Sequence, residues 1–572
     1  MKLWSGIFLF ILTISFLHGA SSTNFTEKSF DESESNKGYI YTNEPLLFST
    51  ITRILGYDTI VSVGLDGVGD IYMLGITVDP YAPDYNRVDC FLFKINGTDF
   101  TQIYFKEFGG SDSDYATDMF VDPSGRVYIT GYTYSDDFPM QNAYRHDNNG
   151  TIDCFIICFD VEPEKVLFST YLGGDGLDRG NSIFVDDEGS IYVTGFTSSI
   201  NFPKTSESNT TGVFYPEDVF VTKLNSTGNG LLYSSCIGGV RDDGGYTLTV
   251  DSQGNAYIAG FTMSYDFPIV NAYDSVPNMF DFSPYDGFVF CLNSTGNGLL
   301  FSTYMGGNRS EIFTDIELDS NGDVWVCGYT DSADFPTIDS FQNYSDVSES
   351  DCVIFKLSSN GSDLLFSTFF GGSWEDECRS MEFDERDNLF VAGMTSSVEF
   401  PWFRAAKSVY SENYPKDRRS EEGFVMKISP EESILYSTPV GGHVQDVVNS
   451  ITVDENGAAI IGGITNSVDF PLRREFPYEP EFTVEPVFPN KTAFPKSPDG
   501  FVLMLLDISD EDGDTFPNWW EFVNGFDPLN PDAPLVELLM WYSPVIVMFG
   551  FIASIAIIVL WIGRHRIQSL KK

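Results

Sequence analysis

The chain has 572 residues and sets 83 Asp plus Glu against 32 Lys plus Arg, a formal net charge of -51. Such a balance repels phosphate backbones, so it argues against nucleic acid as a partner and favours divalent cations or basic ligands. The length allows several domains or one large repeat array, either able to bury a substantial core.

The first residues, MKLWSGIFLFILTISFLHGA, read as a signal peptide over 1–21, cut near Ala20 to Ser22, with an uncleaved anchor as the alternative. A polar Ser/Glu-rich leader follows over 22–44. From 45 to 507 the chain repeats itself seven times around the glycine of an xGxT motif, at Gly75, Gly131, Gly195, Gly260, Gly328, Gly393 and Gly463. The spacings of 56 to 70 residues suit a unit of four short strands with turns. IYVTGFT, VYITGYT and AYIAGFT alternate as half-buried strands do. VDPSG, VDDEG and VDSQG are hairpin turns in which Gly supplies a positive φ, and Asp387 in FDERD predicts a local distortion where that Gly is missing. Insertions collect in one interval of each copy, after the DFP-like turn, so the variable loops share one face of a radial array. The DFP-turn aromatics, such as Phe138, Phe267 and Phe335, read as packing.

A four-stranded unit with two apolar faces must stack on neighbours, and closing the ring removes the exposed ends. The fold class expected is therefore all-β, a seven-bladed β-propeller. FSTYLGG, VDDEGSIYVTGFTSS, the DFP-type turns and the DxFVxKL strands resemble the SBBP β-propeller repeat of bacterial and archaeal surface proteins, roughly from Pro45 to Asp507. That resemblance implies the same fold; it does not imply an activity, because propellers host enzymes, binders and scaffolds alike.

Eight cysteines lie in the repeats; Cys90, Cys154 and Cys352 occupy one equivalent position and Cys158 and Cys291 another. Equivalent points of separate blades stand farther apart than the roughly 7 Å a disulfide tolerates, so buried thiols are expected. Ten asparagine sequons include Asn225, Asn293 and Asn360 at one turn of the repeat, where glycosylation competes with plain turn chemistry.

After the repeats, at 508–534, DEDGDTFPNWWE places Asp510, Asp512, Asp514, Asn518 and Glu521 at positions 1, 3, 5, 9 and 12 of a calcium loop, with the Phe516 carbonyl at position 7. The stretch resembles thrombospondin type 3-like segments, departing at Thr515 where Gly is usual. A structural Ca2+ stiffening a stalk is the reading. Residues 538–563 carry no charged side chain and are long enough to cross a bilayer as one helix; the basic tail 564–572 places the stub in the cytoplasm and the bulk outside.

An acid stands four residues after the second glycine of each GG pair, at Asp114, Asp178, Asp243, Glu311, Asp376 and Asp446. These either ring one channel mouth and gather cations, or accept hydrogen bonds from their own turns. The long loops carry Trp402, Arg404, Tyr410, Tyr414, Arg418 and Arg419, residue types that anchor interfaces. No GxSxG, HExxH or P-loop pattern occurs, and His146 and His443 sit in no nucleophile or metal motif. The reading is a membrane-anchored, extracellular, non-enzymatic binding scaffold or adhesin for a protein or glycan. The competing readings are a hydrolase or lyase acting on polysaccharide at the channel mouth, and a structural component of the cell envelope.

Overall fold

The computed structural model describes residues 46–52, 57–79, 87–162, 164–205, 216–278, 285–342, 349–405, 420–467, 469–471 and 499–505. In every blade the innermost strand slips by one residue partway along, between Ile60 and Ser62 in the first and between Gly180 and Ser182 in the third. The slip drives its carbonyl against the second strand at the xGxT glycine. A Cβ at Gly131 would lie 2.0 Å from the Tyr115 carbonyl oxygen, and one at Gly195 would lie 1.9 Å from that of Arg179. Glycine recurs there because backbone approaches backbone.

These strands form seven four-stranded antiparallel sheets, each running from an inner strand outward. The inner strands are Tyr57–Leu65, Asp114–Val121, Asp178–Val185, Asp243–Val250, Glu311–Leu318, Asp376–Phe383 and Asp446–Val453, opening blades one to seven. Blade seven is completed from the other end of the repeats. Its outer strand is Leu46–Thr52, which pairs antiparallel with Asp499–Leu505. The written unit is thus offset from the blade by one strand: the FST strand opening each copy closes the preceding blade.

Apolar clusters fill the space between neighbouring sheets. The closing junction has one as well, joining Ile60, Met73 and Phe91 of blade one to Ile460, Val502 and Met504 of blade seven. Around the channel, polar side chains at one register position link all seven junctions. Ser62 donates to Asp118 at 3.4 Å; Ser182 and the Ile183 amide donate to Asp118 at 3.0 Å; the Leu248 amide donates to Ser182 at 3.4 Å. Thr247 and the Met381 amide donate to Asp315 at 3.1 and 2.7 Å, the Ile451 amide to Ser380 at 3.3 Å, and the Val63 amide to Ser450 at 3.1 Å. The ring is closed by hydrogen bonds and by packing.

The turn phenylalanines are core residues. Phe138, Phe267 and Phe400 stack on Phe155, Phe288 and Phe424 of the third strand with centroids 4.6, 4.7 and 4.8 Å apart. Phe267→Ala is expected to destabilise by about 3–5 kcal/mol, read from the urea midpoint; a change below about 1 kcal/mol would show that the turn is held by other contacts.

In blades three, five and six the turn after the inner strand is tied to a lysine of the third strand: Asp186 to Lys223 at 3.1 Å, Asp319 to Lys356 at 2.8 Å and Asp384 to Lys427 at 3.3 Å. At Asp387 the expected distortion is absent. The residue takes the left-handed conformation itself, φ 60°, and keeps the turn's bond from its amide to the Asp384 carbonyl at 3.1 Å. Its carboxylate accepts the Ser320 amide of the neighbouring blade at 3.2 Å, a contact Gly could not make. All eight cysteines are buried and free. Asn225 and Asn293 brace their own turns, with Asn229 and Asn297 accepting at 3.1 and 2.9 Å.

Candidate functional site at the mouth of the ring

Two groups of side chains gather at the end of the ring where inner strands begin and second strands finish. The first is the set of acids after the GG pairs. Asp114, Asp178, Asp243, Glu311, Asp376 and Asp446 are all 0 % exposed and point into their blades. Each accepts the amide of the second glycine, from Gly110 at 2.6 Å to Gly307 at 3.1 Å. The xGxT threonine donates to them as well: Thr133 to Asp114, Thr197 to Asp178, Thr262 to Asp243, and Thr330 to Glu311 at 2.7 Å. A serine two residues on completes the node, as Ser199 does on Asp178 at 2.7 Å. Asp58 holds the same place in blade one, also 0 % exposed, without a GG pair to announce it.

Every one of these six acids faces a second carboxyl, from the acid that opens the third strand of the preceding blade. The pairs are Asp89 with Asp114, Asp153 with Asp178, Asp218 with Asp243, Asp286 with Glu311, Asp351 with Asp376, and Glu422 with Asp446. Both converge on the first glycine of the GG pair. A Cβ on Gly306 would sit 2.4 Å from Glu311 Oε2 and 2.5 Å from Asp286 Oδ1, two oxygens that have no hydrogen-bond partner. Burial, joined by the facing charge, pushes the carboxyls of Asp153 and Asp218 up to about 7 and that of Glu311 up to about 8; burial with the Asp274 charge pushes Asp286 up to about 7. The GG motif therefore exists to leave room for a buried carboxyl pair. Among the described residues no group of three or more His, Cys, Asp or Glu could hold a metal ion.

The second group lies on the channel side and does not repeat. The residue between G and T of each xGxT pairs across the sheet with the residue that follows the buried acid of the inner strand. Around the ring these pairs are Thr59 with Ile76, Tyr115 with Tyr132, Arg179 with Phe196, Gly244 with Phe261, Ile312 with Tyr329, Glu377 with Met394 and Val447 with Ile464. Blades two to five thus carry a run of aromatics, and blades six, seven and one carry aliphatics. Tyr115 and Tyr132 are stacked at 4.8 Å with Tyr134 edge-on at 6.4 and 6.5 Å. Phe261 holds Tyr246 at 5.6 Å and Tyr285 edge-on at 5.0 Å. Tyr134, Tyr246 and Tyr265 are 36, 37 and 46 % exposed. Arg379 closes the arc, bound to Glu377 at 2.8 Å and to Asn449 at 2.8 Å. Burial and the Glu377 charge push the Tyr329 hydroxyl upward.

Deeper in the channel stand Asp118, Asp315, Glu317 and Glu382, none of which the motif spacing singles out. Burial, with Asp315 alongside, pushes Glu382 up to about 8, and burial with Glu382 and Asp315 raises Glu317. The mouth aromatics do leave a trace in the sequence: xGxT reads GIT, GYT, GFT, GFT, GYT, GMT, GIT in chain order.

Of the loop residues, Trp402 lies half-buried on Phe400, ring centroids 4.6 Å apart, and Arg404 lies over Phe403 at 5.5 Å with φ 49°. Tyr410, Tyr414, Arg418 and Arg419 lie outside the described residues, as do the leader, the calcium loop at Asp510, Asp512, Asp514, Phe516, Asn518 and Glu521, and the span at 538–563. Among the described residues no helix is long and apolar enough to cross a membrane.

The SBBP β-propeller repeat model matches residues 103–139 and 167–203. Both segments fall in the sheets just described, each running from an outer FST strand through the GG turn to a DFP turn. The chain is a seven-bladed β-propeller that carries SBBP repeats. Solved structures similar to it include BamB from Moraxella catarrhalis, 7% identical with TM-score 0.35, covering 81% of this chain and 99% of that one. The β-propeller domain of the Trilobed protease from Pyrococcus furiosus is 7% identical with TM-score 0.36, covering 73% and 94%. The acylaminoacyl peptidase of Pyrococcus horikoshii is 10% identical with TM-score 0.38, covering 71% and 49%. No curated protein matches the chain.

Proposed function

We propose that this propeller is a non-enzymatic binding scaffold, displayed outside the cell, whose protein or glycan ligand docks at the mouth lined by Tyr115, Tyr132, Tyr134, Arg179, Tyr246 and Tyr329. The observation that carries the reading is the break in symmetry. Core positions repeat from blade to blade, whereas the rim is aromatic over four consecutive blades and aliphatic over three. Packing needs alone would be met alike in every blade; an exposed aromatic arc with charged residues between is what ligand-binding surfaces are built from. The buried acids favour this over hydrolysis or lysis, because their carboxyls are closed within the blades. The variable loops leave from the same end. In this proposal the span at 538–563 anchors the ring, and a structural Ca2+ held by Asp510, Asp512, Asp514, Phe516, Asn518 and Glu521 stiffens the stalk.

Screening the full chain against glycan and surface-protein panels, beside the double variant Tyr134→Ala/Tyr246→Ala, tests the site. Binding is expected to weaken about tenfold or more, with the melting temperature of the variant measured alongside to check that it folds. Undiminished binding would move the site away from the mouth.

A further inference from the structure

Six cations of this ring are held by carboxylates, Lys427 by Asp384 among them. Lys94 is held by Asp66 and Asp70 at 3.2 and 2.9 Å, Lys223 by Asp186, Lys356 by Asp319 and Asp323, Arg87 by Asp89, and Arg379 by Glu377. Arg179 is held by rings instead, as Arg241 is by Tyr265 at 4.9 Å. Its guanidinium lies between two rings, 4.8 Å from the Tyr132 centroid and 5.5 Å from that of Phe196. Its Nε is buried without an acceptor, and no carboxylate among the described residues forms an ion pair with it. Glu217 is close enough to feel its charge but is not bonded to it, and burial together with Asp242 raises the Glu217 carboxyl. In a chain with 83 acids to 32 bases, a guanidinium kept from every carboxylate and held flat by aromatic faces is set up for an acid from outside.

We propose that the wedge formed by Tyr115, Tyr132, Arg179 and Phe196 takes one carboxylate-bearing sugar unit of a glycan, the carboxylate on the guanidinium and the ring against a tyrosine face. This rests on the reading of the mouth as the ligand-binding surface, and it goes further by naming the ligand class. Three features favour a sugar acid over other anions. The aromatics continue from blade two to blade five, which suits an extended chain of rings rather than an isolated ion. The phenols of Tyr134 and Tyr246 are exposed and give hydroxyl partners beside apolar faces. The formal charge of -51 repels a dense polyanion, so a glycan whose carboxylates are spaced by neutral units fits better than a sulfated or phosphorylated one.

The test titrates the full chain with three probes: a glucuronate-containing oligosaccharide, the same oligosaccharide with its carboxyls reduced to alcohols, and an acidic peptide. Wild type should bind the glucuronate form about tenfold or more tightly than the reduced form, with the preference shrinking as salt rises. Arg179→Gln should erase that preference, bringing the glucuronate and reduced forms to the same affinity; Arg179→Lys should restore part of it. Thermal melting of each variant checks folding, and Tyr134→Ala, which removes no buried contact of Arg179, should weaken both oligosaccharides. Equal binding of the two oligosaccharides, or a preference that survives Arg179→Gln, overturns the proposal. Binding of the peptide alone overturns it too, yet leaves the mouth as the binding surface if Tyr134→Ala weakens that binding. Failure of all three probes to bind counts against both.

Discussion

The melting temperature of the ring is expected to fall as pH rises from 5 to 8, by at least ~5 °C, the reverse of a protein whose carboxylates are mostly ion-paired. The sign follows from the buried pairs. The carboxyls of Asp153, Asp218, Asp243 and Asp286 are pushed up to about 7 and that of Glu311 up to about 8, chiefly by burial. In the unfolded chain the same groups ionise near 4. The folded state therefore binds more protons between those values. Its stability is fully present below the unfolded pKa and drains away as pH climbs through the folded one. The same rise in pH adds negative charge to a chain already rich in it. Opposing this, the Ser190 amide and Lys223 hold the Asp186 carboxyl low against its burial, so extreme acid removes stability again. Asp286→Asn removes one member of the Asp286/Glu311 pair, which also faces Asn278 through its amide at 2.8 Å. That variant should flatten the pH profile, with the gain largest at pH 8. A melting temperature that is level or rising from pH 5 to 8 would show that the pairs bind something other than a proton.

Removal of residues 1–52 is expected to produce the largest loss of solubility and stability of any truncation. It strips the strand Leu46–Thr52 from blade seven and leaves Asp499–Leu505 as a bare edge with apolar residues on it. The inner seam would survive, because Val63 still donates to Ser450 and Asn449 to the Ile60 carbonyl at 2.9 Å. Loss should therefore show as aggregation and a lower unfolding midpoint rather than as an opened ring. A synthetic Leu46–Thr52 peptide added in trans should recover part of the midpoint. Wild-type behaviour of the truncated chain would mean that the outer strand is dispensable.

Much of this architecture was legible in the residues, and the parts that were not share a physical reason. The count of seven, the strand identity of each segment and the packing role of Phe138, Phe267 and Phe335 follow from local pattern, and the sheets bear them out. The join of Leu46–Thr52 to Asp499–Leu505 spans more than four hundred residues and has no local signature. The carboxyl pairs hid in the open: Asp153 and Asp178, Asp218 and Asp243, and Asp286 and Glu311 are each 25 residues apart, but only the sheet shows that they meet over a glycine. Asp387 misled because its tolerance of a positive φ was weighed without the Ser320 amide that it captures. The mouth went unread because it occupies the variable letter between an invariant Gly and Thr, and attention to what repeats discards what differs.

The variable loops begin by hydrogen-bonding along the outermost strands: Gln141 pairs with Ser169, Val270 with Ser302, Ile338 with Ser367 and Phe403 with Ser437. Blades two, four, five and six are thereby hemmed at their outer strands. At those four edges a neighbouring copy would find fewer free main-chain groups to seize, which disfavours strand exchange between molecules there.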